Sequence, residues 1–306
     1  MILITTAGKV GSETARLLAE RGEPVRLIVR TPEKAAGASQ PGVDVVVADL
    51  EDAGAVDRAM DGVRSVLLVT SPVVSQELRV IGSAARAGAG HIVKITTKAT
   101  ADSPIARRRN HAAIERDLID SGLGYTLLRN NAYMQNFLMM APGIAQADAF
   151  STATGDGKIG HVDVRDIAAV AAEITSSPSA HAGKTYWPTG PEALSGAAVA
   201  ETFSRVLGRT ITFHPISEQE QLEVMLGVGL PRPVAEDTAR AVALMARGDC
   251  DYVTSDVADI IGRQPGSFEQ FVKDYASAFT RLGDGNRRPR HSRGAAASRP
   301  TGSGLH

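Results

Sequence analysis

A chain of 306 residues, with 43% hydrophobic and 22% charged residues, is long enough to bury one large or two modest cores. Its formal charge of -1 supplies no global field for nucleic acid or an anionic membrane, and its single cysteine, Cys250, excludes an internal disulfide and a thiolate-rich zinc site. No apolar run approaches the ~20 residues that cross a bilayer, and no basic segment leads into an apolar one at the start, so the expected location is the cytoplasm.

The chain opens on an apolar run at 2–4, and an amphipathic stretch follows at 12–21 with Ala15, Leu17 and Leu18 as its stripe. Further strands are expected at 25–29, 43–47, 65–69, 91–95 and 125–128, with helices near 53–60, 75–87 and 103–121. Runs such as Val45-Val46-Val47 and Val66-Leu67-Leu68-Val69 are apolar without alternation, the mark of parallel strands covered on both faces. Strand–helix repetition of this kind predicts an α/β fold with a Rossmann-type, doubly wound parallel sheet. Thr31-Pro32 and Ser103-Pro104 each read as a helix N-cap followed by proline at the first helical position. Ser217 with Glu220, and Ser267 with Gln270, have capping-box spacing. Beyond about residue 150, short strands at 158–162, 185–187 and 211–213 mix with longer helices. The expected organisation is a Rossmann domain at 1–150 with a returning segment at about 164–190, and a smaller mixed α/β substrate part at 151–283, folded over the C-terminal ends of the strands. The Arg-, Gly-, Ser- and Pro-rich tail at 284–306 has too few apolar residues to offset ordering, so disorder is expected there.

The first strand runs into Thr5-Thr6-Ala7-Gly8-Lys9-Val10-Gly11 and then into a helix. That order is what a diphosphate needs: bare backbone at a strand end, followed by the positive end of a helix dipole. Gly8 and Gly11 match the last two glycines of the dinucleotide fingerprint, and Thr5 or Thr6 stands where the first would be. A plain strand–helix turn is the alternative. The second strand ends at Arg30, 19 residues after Gly11, where an NAD-selective site would carry an acid. A guanidinium there suits a ribose 2′-phosphate, with Lys34 adding charge, so NADP(H) is expected over NAD(H). A solvated strand-end cation is the alternative for Arg30.

Taken together with that loop and Arg30, several segments occur in a telling order. They are Ala48-Asp49-Leu50, Val69-Thr70-Ser71-Pro72, His91-Ile92-Val93-Lys94, the run from Ser121 to Asn130, Tyr133-Met134-Gln135-Asn136-Phe137, Gly155-Asp156-Gly157-Lys158 and Asp163-Val164-Arg165-Asp166-Ile167-Ala168. The chain resembles the NmrA-like branch of the atypical short-chain dehydrogenases/reductases over roughly residues 1 to 280, nearest in pattern to NADPH:quinone oxidoreductase and dye-reductase members. The resemblance implies that Thr6, Ala7, Gly8, Lys9, Val10 and Gly11 hold the pyrophosphate and Arg30 the 2′-phosphate. It implies Asp49 and Leu50 beside the adenine, and Thr70, Ser71 and Pro72 beside the nicotinamide-side ribose. Asn131, Tyr133 and Asn136 would close over the nicotinamide, and Thr96 and Thr97 would line the pocket or touch cofactor. The loop departs from the family's usual TGATGxxG, and Asn130 stands where many members carry proline.

Reductases of the wider superfamily use Tyr-x-x-x-Lys, in which lysine makes the tyrosine a better acid. The comparable helix here carries His111 and Glu115 at that spacing, and no such pair. No catalytic residue is assigned; Tyr133 and His111 are candidates, with an i,i+4 contact to Glu115 the structural alternative for His111. Hydride transfer without a placed acid favours acceptors that delocalise charge or begin as cations: quinones, conjugated dyes and iminium ions. The expected activity is an NADPH-dependent oxidoreductase acting on such small molecules, with Asn136, Phe137, Met140 and Phe150 in the substrate pocket. The family also implies an alternative, a non-catalytic NADP(H)-binding redox sensor that regulates a partner. No metal site is expected, since His91, His161, His181 and His214 lack ligand spacing. Arg107-Arg108-Arg109 reads as a solvated face, or else as a contact to cofactor phosphates or a partner. Asp163 and Asp166 around Arg165 read as a cap and an internal ion pair. The Arg287-Arg288-Pro289-Arg290 stretch is a poor basis for nucleic-acid binding, no membrane partner is expected, and the assembly is a monomer or homodimer.

Overall fold

Apolar runs that alternate with amphipathic segments can bury both faces only by lying between helix layers, and the chain does so in sequence order. The computed structural model describes residues 1–71 and 73–280; the tail at 284–306 lies outside the described residues. The first half reads β1 (Ile2–Ile4), α1 (Lys9–Glu20), β2 (Val25–Val29), α2 (Pro32–Ala38), β3 (Val43–Val47), α3 (Ala53–Ala59), β4 (Ser65–Leu68), α4 (Val74–Ala87), β5 (His91–Thr96), α5 (Ala106–Asp120) and β6 (Gly124–Arg129). A 3-10 turn (Met134–Met139), α6 (Ala141–Ala147), β7 (Ala149–Thr152), α7 (Val164–Ser176) and β8 (Lys184–Tyr186) follow. The chain continues as α8 (Gly196–Leu207), β9 (Thr212–Pro215), α9 (Glu218–Gly227), α10 (Arg232–Met245), α11 (Asp256–Ile261), α12 (Phe268–Asp274) and α13 (Ala276–Phe279).

Seven strands form one sheet in the order β3-β2-β1-β4-β5-β6-β8, and every neighbouring pair is parallel. The order reverses at β1, which puts the switch point, the crevice position where open α/β sheets take ligands, at the C-terminal ends of β1 and β4. Side chains alternate across the strands. Ile2, Ile4, Leu27, Leu67 and Val93 join α1 and α7 on one face, while Leu3, Ile28, Val66, Leu68 and Ile92 join α3, α4 and α5 on the other. The helix α7 returns beside α1, and β8 then pairs with β6 at Thr126–Lys184. A separate core gathers Phe137, Phe150, Phe203, Phe268, Phe271 and Phe279 beneath the two-stranded sheet β7-β9.

Three local expectations change. The expected strand at 158–162 is reduced to bridges, Tyr133 with Val162 and Ile159 with Leu194. Its amides are shared among separate partners, Gly160 N–H going to Cys250 O, so no continuous ladder forms. Ser103-Pro104 does not start α5: Ser103 Oγ accepts from Ile105 N, and the first helical amides, of Ala106 and Arg107, are taken by Asp237 of α10 at 2.5 and 3.1 Å. Ser267 caps α12 without a reciprocal bond, because the Gln270 amide donates to Asp274 instead. Ser217 and Glu220 form the full capping box of α9.

Candidate functional site

The β1–α1 loop is held down by hydroxyls. Thr5 Oγ1 donates to Val69 O at 3.1 Å and accepts from Val69 N at 2.9 Å, while Thr6 Oγ1 donates to Val69 O at 2.7 Å. The threonines that replace the first fingerprint glycine thereby tie the loop to the end of β4. At Gly11 a Cβ would lie 1.9 Å from Thr6 O, so glycine alone lets the helix approach the loop this closely. Gly8 is the N-cap of α1, offers no side chain to the first-turn amides, and no acid stands in that turn. Bare, outward amides with an uncompensated helix dipole suit a diphosphate.

Arg30, exposed at the end of β2, makes no hydrogen bond or ion pair among the described residues. Asp49 is exposed after β3 and accepts from Glu51 N, and Leu50 is buried beside it. Ser71 is exposed, and Pro72 lies outside the described residues. The hydroxyl of Thr70 turns inward and donates to Glu77 Oε1 at 2.6 Å.

Behind that crevice lies a polar floor. Lys94, fully buried on β5, places Nζ 2.8 Å from Glu77 Oε2 and donates to Ile95 O. Burial pushes the Glu77 carboxyl up and the Lys94 ammonium down, and their mutual attraction opposes both shifts. Two residues on, Thr96 Oγ1 donates to Glu115 Oε1 at 2.7 Å. Glu115 is also ion-paired to Arg129, whose guanidinium sits 5.2 Å from the centre of the Trp187 ring. Glu115 is therefore committed to Thr96 and Arg129, and the His111–Glu115 contact, the structural alternative for His111, is not made. The His111 ring is buried and its Nδ1 has no partner. Burial, reinforced by the charges of Lys94 and Arg107, takes its pKa down to about 2, so the imidazole is neutral at physiological pH.

At the end of β6, Asn130 Nδ2 donates to the Tyr133 hydroxyl at 3.0 Å, and burial pushes that phenol up. Asn131 Nδ2 donates to Cys250 O at 3.1 Å, which ties β6 to the segment 249–252. Lys98 and Arg108 both pair with Asp249 of the same segment, so Arg108 is no part of a solvated face.

The model of the NmrA-like family matches residues 1–271. The chain belongs to that family. It is 33% identical over 284 residues, 91% of this chain and 99% of the relative, to the NAD(P)H azoreductase of Xenophilus azovorans. It is 36% identical over 285 residues, again 91% and 99%, to a Streptomyces griseus (4-alkanoyl-5-oxo-2,5-dihydrofuran-3-yl)methyl phosphate reductase. The fold is similar to the crystal structure of an Escherichia coli NADPH-dependent quinone oxidoreductase complexed with NADPH, with a TM-score of 0.81, 31% identity and coverage of 90% of this chain and 100% of the other.

In this NmrA-like chain, Ala7, Val69 and Tyr133 pack against one core cluster, which brings the β1–α1 loop, the end of β4 and the segment after β6 together. Thr96 joins them through its carbonyl, which accepts from Asn130 N. Three of the four residues assigned to the substrate pocket, Phe137, Met140 and Phe150, meet in one apolar cluster, and Asn136 lies outside it. Asn136 is exposed and Met140 half-buried, whereas Phe137 and Phe150 are buried in the aromatic core, the Phe137 ring 5.0 to 5.8 Å from those of Phe268, Phe150 and Phe203. Residues missed by pattern reading are Glu77, Lys94, Arg129 and Asp249. Lys94 alone carried a signal, a lone cation inside the apolar run His91-Ile92-Val93-Lys94-Ile95.

Proposed function

We propose that the chain is an NADPH-dependent reductase of quinone-like or other conjugated electrophilic acceptors, working without a Tyr-Lys acid pair. The oxidoreductase class follows from family membership and from relatives named as NAD(P)H-dependent reductases. Binding of NADP(H) fits the bare amides of α1 and the unpartnered Arg30. NADPH, when bound, supplies a hydride from its nicotinamide C4. The protein's part is to hold the dinucleotide, keep the reacting face dry and align the acceptor.

One observation supports the acceptor class: among the described residues, neither candidate acid, Tyr133 or His111, is tuned to give up a proton. Burial makes the Tyr133 phenol a weaker acid than free tyrosine, and its hydroxyl partner is an amide rather than a lysine. His111 is neutral and Glu115 is locked to Thr96 and Arg129. An isolated ketone would need a proton as its alkoxide forms, whereas a quinone spreads the added charge and takes its proton from water afterwards. The matching assay follows NADPH absorbance with a panel of quinones, azo dyes and triphenylmethane dyes, beside simple ketones. Consumption with conjugated acceptors and none with ketones is expected. Tight NADPH binding with no turnover on any acceptor would leave the redox-sensor reading in its place.

A further inference from the structure

The three arginines at the start of α5 have different fates. Arg108 is buried against Asp249, and Arg109 donates to Ser103 O at 2.6 Å. Arg107 is half-buried, and among the described residues its guanidinium makes neither a hydrogen bond nor an ion pair. The acid that attracts it, Asp237, is already engaged by the main-chain amides of Ala106 and Arg107. Taking a guanidinium part-way out of water without an acceptor costs free energy, which a bound anion would return.

A second unsatisfied group stands one turn further along. His111 lies at i,i+4 from Arg107 and hence on the same helix face, which also carries Glu115 to Thr96 at the end of β5. Its ring is 6% exposed, and Nδ1 is without a partner. The ring is neutral, so one nitrogen carries a proton and can donate without bringing a charge of its own. Lys98 and Arg108 offset Asp249 and Asp237, so the charge of Arg107 itself is the one left for an anion to match.

We propose that Arg107 and His111 bind an oxyanion substituent (carboxylate, sulfonate or phosphate) on the acceptor, so that the preferred substrates are conjugated acceptors bearing an acidic group. The proposal rests on the reductase reading for the word acceptor, but the anion subsite can be tested without turnover. With NADPH as donor, a neutral naphthoquinone is compared with its sulfonated counterpart. Arg107→Ala lowers the ratio of kcat/KM for the sulfonated over the neutral quinone by about tenfold or more, and Arg107→Lys restores part of it. Separately, naphthalene-2-sulfonate is titrated calorimetrically into NADP+-loaded protein. Binding weakens about tenfold in Arg107→Ala, by less in His111→Phe, and falls with added salt. An unchanged quinone ratio, or equal sulfonate affinity in wild type and Arg107→Ala, overturns the subsite. Arg107-dependent sulfonate binding with no NADPH consumption on any quinone would retain the subsite and remove the reductase reading.

Discussion

The two sides of the crevice are built by opposite rules. At the cofactor side, the charged and polar groups are left open: the first turn of α1 has no acid or side-chain cap, and Arg30 has no partner among the described residues. At the floor, nearly every charge is matched, Lys94 with Glu77, Glu115 with Arg129, and Arg108 and Lys98 with Asp249. Open groups await a ligand that brings its own charge, whereas matched groups hold a shape whether or not a ligand is present. Arg107 breaks the second rule, and that exception makes it informative.

The sharpest break of this comparison is at Lys94. Lys94→Met leaves the Glu77 carboxylate buried without its cation, and removing one member of a buried pair costs about 3–5 kcal/mol. Urea unfolding should show that loss, and Lys94→Met combined with Glu77→Leu should recover much of it. A single-variant loss below roughly 1 kcal/mol would mean that the floor is not held by this pair.

Next in size is a pH effect in the aromatic core, where the His161 ring meets those of Phe137 and Phe268. Burial lowers the pKa of His161 to about 4, so the folded ring stays neutral, whereas the unfolded chain takes up a proton near 6.5. The unfolded state binds more protons across that window, and stability is therefore lost as pH falls from 6.5 towards 4. The full shift corresponds to about 3 kcal/mol for this residue. His111, lowered to about 2, acts in the same direction. His161→Phe keeps the edge packing on Phe137, whose ring centre is 5.2 Å away, and should flatten the fall in urea midpoint between about pH 7 and pH 5. An unaltered slope would remove His161 as a source.

The same contrast separates what the sequence discloses from what it conceals. Parallel strands announce themselves through non-alternating runs, and the β1–α1 loop with Arg30 lies within the first 30 residues, so local order alone points to them. The floor is assembled from pairs 14 to 151 residues apart, such as Glu115 with Arg129 and Lys98 with Asp249, and no local pattern couples those partners. Distance also explains the misread start of α5, which Asp237 caps from α10, and the divided strand at 158–162. Phe137 and Phe150 are visible as large apolar residues; only packing reveals that their rings meet edge to face.

On the cofactor side, Gly11→Ala places a Cβ against the Thr6 carbonyl at 1.9 Å, a backbone atom that cannot rotate away. Overpacking of this kind costs about 1–3 kcal/mol, and the displaced loop should lose NADPH affinity as well. Gly8→Ala is the control for mere bulk, since its Cβ finds nothing nearer than Thr6 Oγ1 at 3.8 Å. Equal stability of the Gly11 variant and wild type would show that the loop gives way freely, contrary to the stitching by Thr5 and Thr6.

The smallest effect is the most selective. Arg30→Ala removes an exposed cation that has no partner among the described residues, so folding stability should barely move. NADPH and NADH share every group except the 2′-phosphate, and a charge-assisted contact to it at an exposed site is worth about tenfold in affinity. Fluorescence titration of both coenzymes should therefore show NADPH weakened about tenfold and NADH within twofold of wild type. Parallel losses would mean that Arg30 acts on the loop rather than on the phosphate, and that the open side of the crevice selects its ligand through the diphosphate alone.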